Sequence, residues 1–144
     1  MLIIRKLTEK KLRASGGGAE PDEALRPEAL SAALEEGMTV FLMLLDEEAA
    51  GVLTMGSEAE GSSPAFVRVR NVYVRPALRR HGLGRMLMCS AAGEAVERRV
   101  WFLGCDAALS EEGTAFAAAM HFRAGAAADT LLLDLSDVEG LRHG

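Results

Sequence analysis

The apolar residues of the chain recur with two different periods, and the change of period separates strands from helices. A first strand is predicted over LIIRKL, residues 2–7. Two apolar runs joined by an acidic turn follow in TVFLMLLDEEAAGVLTMGSE and predict a hairpin with strands near 39–45 and 50–57. AFVRVRNVYV then alternates with a period of two, which predicts a strand over 66–75 that Pro76 ends.

Three segments have helical features instead. Pro27 in the first turn and a glycine at the stop bracket a short helix to about Glu36. From Gly82, apolar residues recur at helical spacing and predict a helix to about Arg98. SEEGTAFAAAMHFRAG begins with a serine followed by acids and predicts a helix that stops at Gly125. Further strands are predicted over VWFLGC and DTLLLDL.

The order of these elements predicts the fold class. The strand–helix–strand segment across 66–105 requires a right-handed crossover between parallel strands, whereas the hairpin supplies antiparallel ones. The sequence therefore predicts an α/β fold with a mixed, mostly antiparallel sheet, a central parallel β-α-β unit and flanking helices. At 144 residues, one domain over 1–144 is expected.

The composition narrows the setting and the partners. With 49% apolar residues and a net charge of −5, the chain is expected to fold and to bind neither nucleic acid nor an anionic membrane. No apolar run approaches the roughly 20 residues that span a bilayer, and the N-terminal segment does not resemble a signal peptide. Cys89 and Cys105 fit no metal-ligand spacing, so a cytoplasmic protein without a metal site is expected.

The arginines are distributed very unevenly. Six of them lie between residues 68 and 85, a window without an acidic residue, so the rest of the chain carries a charge of −11. The window contains RRHGLG, residues 79–84, between a strand end and a helix start. Free backbone N–H groups and the positive end of the helix dipole converge there, which favours an anion site. The glycines let a phosphate approach the backbone and the arginines add charged hydrogen bonds, so a pyrophosphate is the expected ligand.

Other ligands and roles of such a turn can be compared with the sequence. The six-residue glycine span of dinucleotide-binding proteins and the lysine-bearing loop of nucleoside triphosphatases are both absent from the sequence. RNA binding by the arginines lacks aromatic stacking partners, because Tyr73 alone interleaves with them and aromatic residues make up 5% of the chain. A solvated basic turn, whose glycines only cap the helix, is the remaining alternative.

The hairpin, the strand NVYVRP, the pattern R-x-x-G-x-G and the amphipathic helix that follows together resemble the acetyl-CoA-binding core of GNAT-type N-acetyltransferases. The family signature, Gln/Arg-x-x-Gly-x-Gly/Ala, is matched by Arg79, Gly82 and Gly84. The resemblance is strongest over 66–105 and poor over the first 37 residues. It implies the GNAT fold, acetyl-CoA as cosubstrate, and acetyl transfer to a primary amine by direct attack. An acyl-CoA-binding domain with little turnover and an unrelated phosphate- or RNA-binding module are the alternatives.

The same resemblance implies where the cofactor lies. Its pantetheine runs between the strands of 66–75 and 100–105, which splay apart at their ends. Backbone groups near Val72 and Val74 bind the pantetheine amide and the thioester carbonyl. The pyrophosphate lies on the turn formed by Arg79, Arg80, His81, Gly82, Leu83, Gly84 and Arg85.

The chain departs from the family at the residues that move protons. A base is often a glutamate on the strand before the turn, but this strand carries Arg68, Arg70 and Asn71. Glu58 and Glu60, in the loop before that strand, are possible substitutes, although solvated loop acids are the simpler interpretation.

The family acid is often a tyrosine four residues before the glycine that ends the penultimate helix. Counting back from Gly125 reaches His121, a candidate acid because a histidine with a pKa near 6.5 can donate a proton. The family asparagine seven residues further back, which contacts the cofactor, is replaced by Thr114.

The acceptor pocket of the family is built partly from the region after the first strand. Acids in this region favour a cationic small-molecule or protein amine: Glu20, Asp22, Glu23, Glu28, Glu35 and Glu36. A homodimer is possible because many relatives dimerise.

Overall fold

In a computed structural model of the chain, the structure describes residues 1–8, 23–58, 65–107, 111–124 and 129–136. Within these ranges seven strands form one sheet: β1 Leu2–Lys6, β2 Thr39–Leu45, β3 Glu48–Glu58, β4 Val67–Val74, β5 Phe102–Asp106, β6 Arg123–Ala124 and β7 Thr130–Asp134. Three α-helices are α1 Pro27–Glu35, α2 Leu83–Glu97 and α3 Glu111–Ala119, and single 3₁₀ turns cover Glu23–Leu25 and Pro76–Leu78.

The strands lie in the order β1-β2-β3-β4-β5-β7-β6. Every neighbouring pair is antiparallel except β4 and β5, which are parallel and joined by α2. The predicted fold class, a mixed and mostly antiparallel sheet with one parallel β-α-β unit, is therefore confirmed. Asp46 and Glu47 form the turn between β2 and β3, and they take the positive φ angles of 50° and 71° that a tight turn between twisted strands needs.

Two apolar clusters cover the two faces of the sheet. The larger one joins β3, β4 and β5 to α2 and α3 and includes the fully buried Leu53, Leu87 and Leu103. The smaller one lies under α1 and includes Leu30 and Val52. Because Val52 and Leu53 are adjacent on β3 and belong to different clusters, the clusters lie on opposite faces.

The C-terminal end of α2 is tied to the strands by a charged network. Glu94 accepts hydrogen bonds from Lys6 Nζ at 2.8 Å and from Arg98 Nε at 3.0 Å. Arg98 also donates to Thr39 Oγ1 at 2.6 Å and to the Gly56 carbonyl at 3.2 Å. The Lys6 hydrogen bond, aided by Arg98 and opposed by burial, lowers the pKa of Glu94 below its ordinary value of 4.5. Arg98 therefore ties the C-terminal end of α2 to β2 and β3.

The third helix ends earlier than its sequence predicts. It stops at Ala119 and not at Gly125, and the chain turns into the short strand β6. Phe122 N–H donates to the Ala117 carbonyl and His121 N–H to the Ala118 carbonyl, each at 3.0 Å, with His121 at a φ of 69°. This pair of bonds is a Schellman cap, usually built on glycine. Since histidine occupies the left-handed position, the sequence contains no glycine signal for this end.

Among the described residues, no helix is both long enough and apolar enough to cross a membrane. The same residues contain no group of three or more histidine, cysteine or acidic side chains that could hold a metal ion.

Candidate functional site

β4 and β5 separate after a short parallel contact. They pair only at Val67 with Leu103 and at Arg68 with Gly104. β4 then continues to Val74 without further pairing to β5. We call the opening between residues 69–74 and β5 the fork, and its presence confirms the expected splaying of these strands.

A β-bulge at Arg70 changes which side chains of β4 face each side of the sheet. Thr54 of β3 pairs with Asn71, whereas the next residue, Met55, pairs with Val69, so Arg70 is the extra residue. The alternation is therefore shifted by one position beyond the bulge. Four valines consequently pack on the α2 side of the sheet: Val67, Val69, Val72 and Val74.

The bulged strand presents backbone groups to the fork. Arg75 N–H donates to the Ala50 carbonyl of β3 at 2.9 Å, so alternate residues back to Tyr73 direct their backbone groups towards β3. The backbone groups of Val72 and Val74 then point to the opposite side, into the fork. These are the two positions at which the sequence predicts contacts to pantetheine and to the thioester, and those contacts stay a prediction.

The turn between β4 and α2 is built around a left-handed glycine. Gly82 caps α2 with a φ of 79°, and its carbonyl accepts the first helical hydrogen bond from Met86 N–H at 3.1 Å. A Cβ at Gly82 would meet nothing within 4 Å, so its backbone conformation accounts for the glycine and leaves open space in front of the helix. Arg80 is also left-handed, with a φ of 68°. The first N–H groups of α2 face this open space.

The second glycine of the motif has a packing role. A Cβ at Gly84 would lie 3.1 Å from Cε1 of Phe116 on α3, closer than ordinary contact. Gly84 therefore lets the start of α2 pack against α3, which the sequence interpretation of a phosphate contact did not include.

Arg79 holds the turn to the end of β4. Its Nε donates to the Val74 carbonyl at 2.9 Å, and its guanidinium lies 5.5 Å from the centre of the Tyr73 ring. Arg80 and His81 are exposed and Arg85 is half-buried. The signature arginine thus positions the turn, while its neighbours supply charge at the surface of the site.

A cleft of about 600 Å³ lies between β4, the turn, the start of α2 and α3. Its size is typical of sites for small molecules and cofactors. Eight of the ten residues expected at the cofactor line it: Val72, Val74, Arg79, Arg80, Gly82, Leu83, Gly84 and Arg85. His81 and Thr114 are exposed and are not part of its lining.

The sequence interpretation missed the wall that α3 provides. Gly113, Ala115, Phe116, Ala119 and Met120 line the cleft on this side. Phe116 and Met120 are four residues apart, and this spacing, which puts both on one helix face, was the available signal.

His121 lies outside the lining of the cleft and is exposed at the cap of α3. Because the helix ends there, His121 occupies the place that the family's terminal glycine takes. The same count of four residues then reaches Ala117, which is buried and carries no proton. The family asparagine falls at position 110, outside the described residues. The catalytic role of His121 stays a prediction.

The acids predicted as a base or at the acceptor pocket are only partly described by the structure. Glu58 is the last residue of β3, and its side chain is not among those described; Glu60 also lies outside the described residues. Glu20 and Asp22 fall outside them too. The remaining acids of the α1 region are exposed at its surface: Glu23, Glu28, Glu35 and Glu36.

The sheet is mixed and forks after one parallel pair, and a glycine-capped helix start lies beside the fork. These features define the fold class of the acyl-CoA-dependent acetyltransferases. The model of the Acetyltransferase (GNAT) family matches residues 5–122, and the chain belongs to this family. No curated protein sequence matches the chain.

Solved structures share the fold over nearly the whole chain. The KacTA–DNA complex has a TM-score of 0.70 at 18% identity, covering 99% of this chain and 98% of the other. AtaTR bound with acetyl-CoA has a TM-score of 0.69 at 18% identity, covering 98% of each chain. PaiA N-acetyltransferase from Thermoplasma acidophilum with coenzyme A has 0.66 at 14% identity, covering 92% and 97%. The cosubstrate expected from the sequence agrees with the acetyl-CoA and CoA in these neighbours.

One expectation about partners is wrong. The acidic net charge predicts that no nucleic acid binds, yet AtaT, with this fold at a TM-score of 0.68, is solved with acetyl-methionyl-tRNAfMet, and KacTA is solved with DNA. Net charge averages over the whole surface, whereas nucleic acid contacts a local patch of basic residues. The charge of this chain therefore does not exclude such a partner.

Proposed function

We propose that the chain binds acetyl-CoA in the cleft and transfers the acetyl group to a primary amine by direct attack. The observation that carries the proposal is the meeting of three features: the fork, the left-handed Gly82 and the start of α2 with its first-turn N–H groups. An anionic pyrophosphate is stabilised at such a helix start. The pantetheine then follows the free edge of β4 to the fork.

The backbone of β4 supplies the electrostatic part of the reaction. The amine nitrogen bonds to the thioester carbon, the carbonyl oxygen becomes negative, and the C–S bond then breaks to release CoA. A backbone N–H at Val72, facing the fork, would donate to the oxygen as the charge develops. An ammonium loses one proton before attack and a second as the amide forms, and one of these two protons goes to the CoA sulfur.

The proton to sulfur needs no strong acid. A thiol with a pKa near 8.5 is stable enough as a thiolate to leave unprotonated and to take its proton from water afterwards. This accommodates Ala117 at the place where the family has a tyrosine. It also makes a side chain outside the cleft, such as His121, unnecessary for this step.

Replacing His121 with glycine should leave kcat within a few-fold of the original value. Glycine relieves the left-handed strain at the cap, so the free energy of unfolding should rise by up to about 1 kcal/mol. Steady-state CoA release and urea unfolding measure the two quantities, with His121→Ala as the control that removes the ring without relieving the strain. A loss of 10²–10⁴ in kcat, typical of a missing acid, would instead assign the acid role to His121.

The second candidate function is acyl-CoA binding with little turnover. Ala117 at the acid position and arginines on the strand that often carries the base favour it. Turnover separates the two candidates, because both bind acetyl-CoA and only the transferase releases CoA when an amine is added. The amine panel should include amines carried by RNA, since a neighbour of this fold is solved with acetyl-methionyl-tRNAfMet.

Acetyl-CoA and CoA should both raise the melting temperature. A ligand at 100 times its Kd adds about 2.7 kcal/mol to the free energy of unfolding, which corresponds to a rise of several degrees. Pantetheine alone, which lacks the pyrophosphate, is the control and should stabilise the protein much less. If millimolar acetyl-CoA leaves the melting temperature unchanged, the proposed cofactor site is wrong.

A further inference from the structure

Arg68 lies at the closed end of the fork, on the face of the sheet away from α2. It is the last residue of β4 that pairs with β5. Val67 and Val69 pack in the α2 cluster, so alternation places the Arg68 side chain on the other face. The cleft is lined by α2 and α3 on the first face. The Arg68 side of the sheet is therefore the side from which an amine would approach a thioester in the fork.

The Arg68 guanidinium is held in place by neutral neighbours. It lies 5.3 Å from the centre of the Phe66 ring, and Nη2 is 3.5 Å from Thr130 Oγ1, a long hydrogen bond. The Phe66 ring is buried against Gly104, where a Cβ would come within 2.3 Å of it. Arg68 itself is half-buried. A planar cation so placed is oriented before any ligand arrives.

Arg70 adds a second cation on the same face. It is the bulged residue and is exposed, and its Nε lies 3.6 Å from the position that a Cβ on Gly56 would take. Among the described residues neither Arg68 nor Arg70 forms an ion pair with a carboxylate. The acids beside Thr130 are exposed: Asp129 accepts its hydroxyl at 3.2 Å, and Asp106 pairs with it across the strands.

We infer that Arg68 and Arg70 form an anion-binding subsite for the acceptor. An arginine cannot act as the base, because its guanidinium keeps its proton in proteins. What a half-buried guanidinium does well is to bind a carboxylate or a phosphate through two parallel hydrogen bonds. Resting on the proposed acetyl transfer, the inference is that the acceptor is a primary amine with a carboxylate or phosphate close to the reacting nitrogen.

Two matched pairs of acceptors test this chemistry. O-Phosphoethanolamine and ethanolamine differ by a phosphate, and glycine and glycinamide differ by a carboxylate. Within at least one pair the anionic member should be acetylated with a kcat/KM at least 10-fold higher, as measured by CoA release. The pair that shows the larger ratio identifies the anion. Spermidine, a cationic amine, should be the poorest acceptor.

Variants connect the preference to the two arginines. Arg68→Gln and Arg70→Gln should each reduce the ratio about 10-fold or more without changing the KM for acetyl-CoA, and Arg68→Lys should retain part of it. Arg123→Gln is the matched control, because Arg123 is an exposed arginine on the edge strand β6, away from the fork. Its ratio should stay unchanged.

A measurement of binding tests the subsite even if acetyl transfer is too slow to measure. In protein saturated with CoA, O-phosphoethanolamine or glycine should raise the melting temperature, and Arg68→Gln should remove this rise. Equal use of both members of each pair, or no acetylation and no stabilisation by any anionic probe, would overturn the subsite. If CoA itself fails to stabilise the protein, the proposed function fails first, so the two failures are distinguishable.

Discussion

Replacing Gly82 with glutamate should weaken acetyl-CoA binding by a factor of 100 or more while leaving the protein folded. A carboxylate about 4 Å from a phosphate charge costs roughly 4 kcal/mol at an effective dielectric constant near 20, which exceeds the 2.7 kcal/mol of a hundredfold change. The left-handed φ of 79° adds about 1–2 kcal/mol of strain for any residue with a Cβ. No atom within 4 Å obstructs a side chain at this position, so the fold tolerates it.

Calorimetric titration with CoA measures the effect, and Gly82→Gln is its control. Glutamine has nearly the size of glutamate without the charge, so the difference between the two variants isolates the electrostatic contribution. Both proteins should unfold cooperatively with melting temperatures within a few degrees of each other. An unchanged affinity for CoA in Gly82→Glu would mean that the pyrophosphate binds elsewhere.

The second large effect is expected at Gly104, opposite Arg68 at the closed end of the fork. A Cβ there would lie 2.3 Å from Cδ2 and 2.6 Å from Cε2 of Phe66, which is 7% exposed and cannot move freely. Gly104→Val should therefore lower the free energy of unfolding by about 3 kcal/mol, the upper part of the usual range for overpacking. Displacing Phe66 also displaces the guanidinium of Arg68 that stacks on it.

Urea unfolding measures this loss, and Gly93→Ala provides the opposite control. Gly93 is exposed in the middle of α2 with nothing within 4 Å of a Cβ, so alanine should add about 0.5–1 kcal/mol through helix propensity. The contrast separates crowding at Gly104 from the general effect of replacing a glycine. Equal stability of Gly104→Val and the parent protein would show that the ring is not packed on this strand.

The locally encoded features of the protein could be predicted from its sequence. The strand over 66–75 and the helix after Gly82 were predicted nearly at their observed bounds, because period and punctuation by Pro76 and Gly82 act within a few residues. The position of the cleft beside residues 79–85 could be predicted for the same reason. The glycine turn and the helix start that form this side of the cleft are consecutive in the sequence.

Predictions that needed distant contacts did worse. The exclusion of nucleic acid rested on net charge, a sum over the chain that contains no spatial information. The end of α3 was misplaced because an alanine-rich run permits helix throughout, and its stop depends on His121 taking a left-handed conformation. The count that selected His121 starts from Gly125, which lies outside the described residues, and the catalytic role of His121 stays a prediction.

The sequence by itself determined the fold class, the order of the elements up to α3 and the glycine turn at the start of α2, all of which follow from short-range periodicity and backbone chemistry. Only the tertiary structure decided the insertion of β7 between β5 and β6, the separation of β4 from β5 after Arg68 and the bulge at Arg70. These depend on pairing between distant segments. The bulge shifts the alternation by one position, and so it placed Val72 and Val74 on the same face as Val67 and Val69, opposite Arg68.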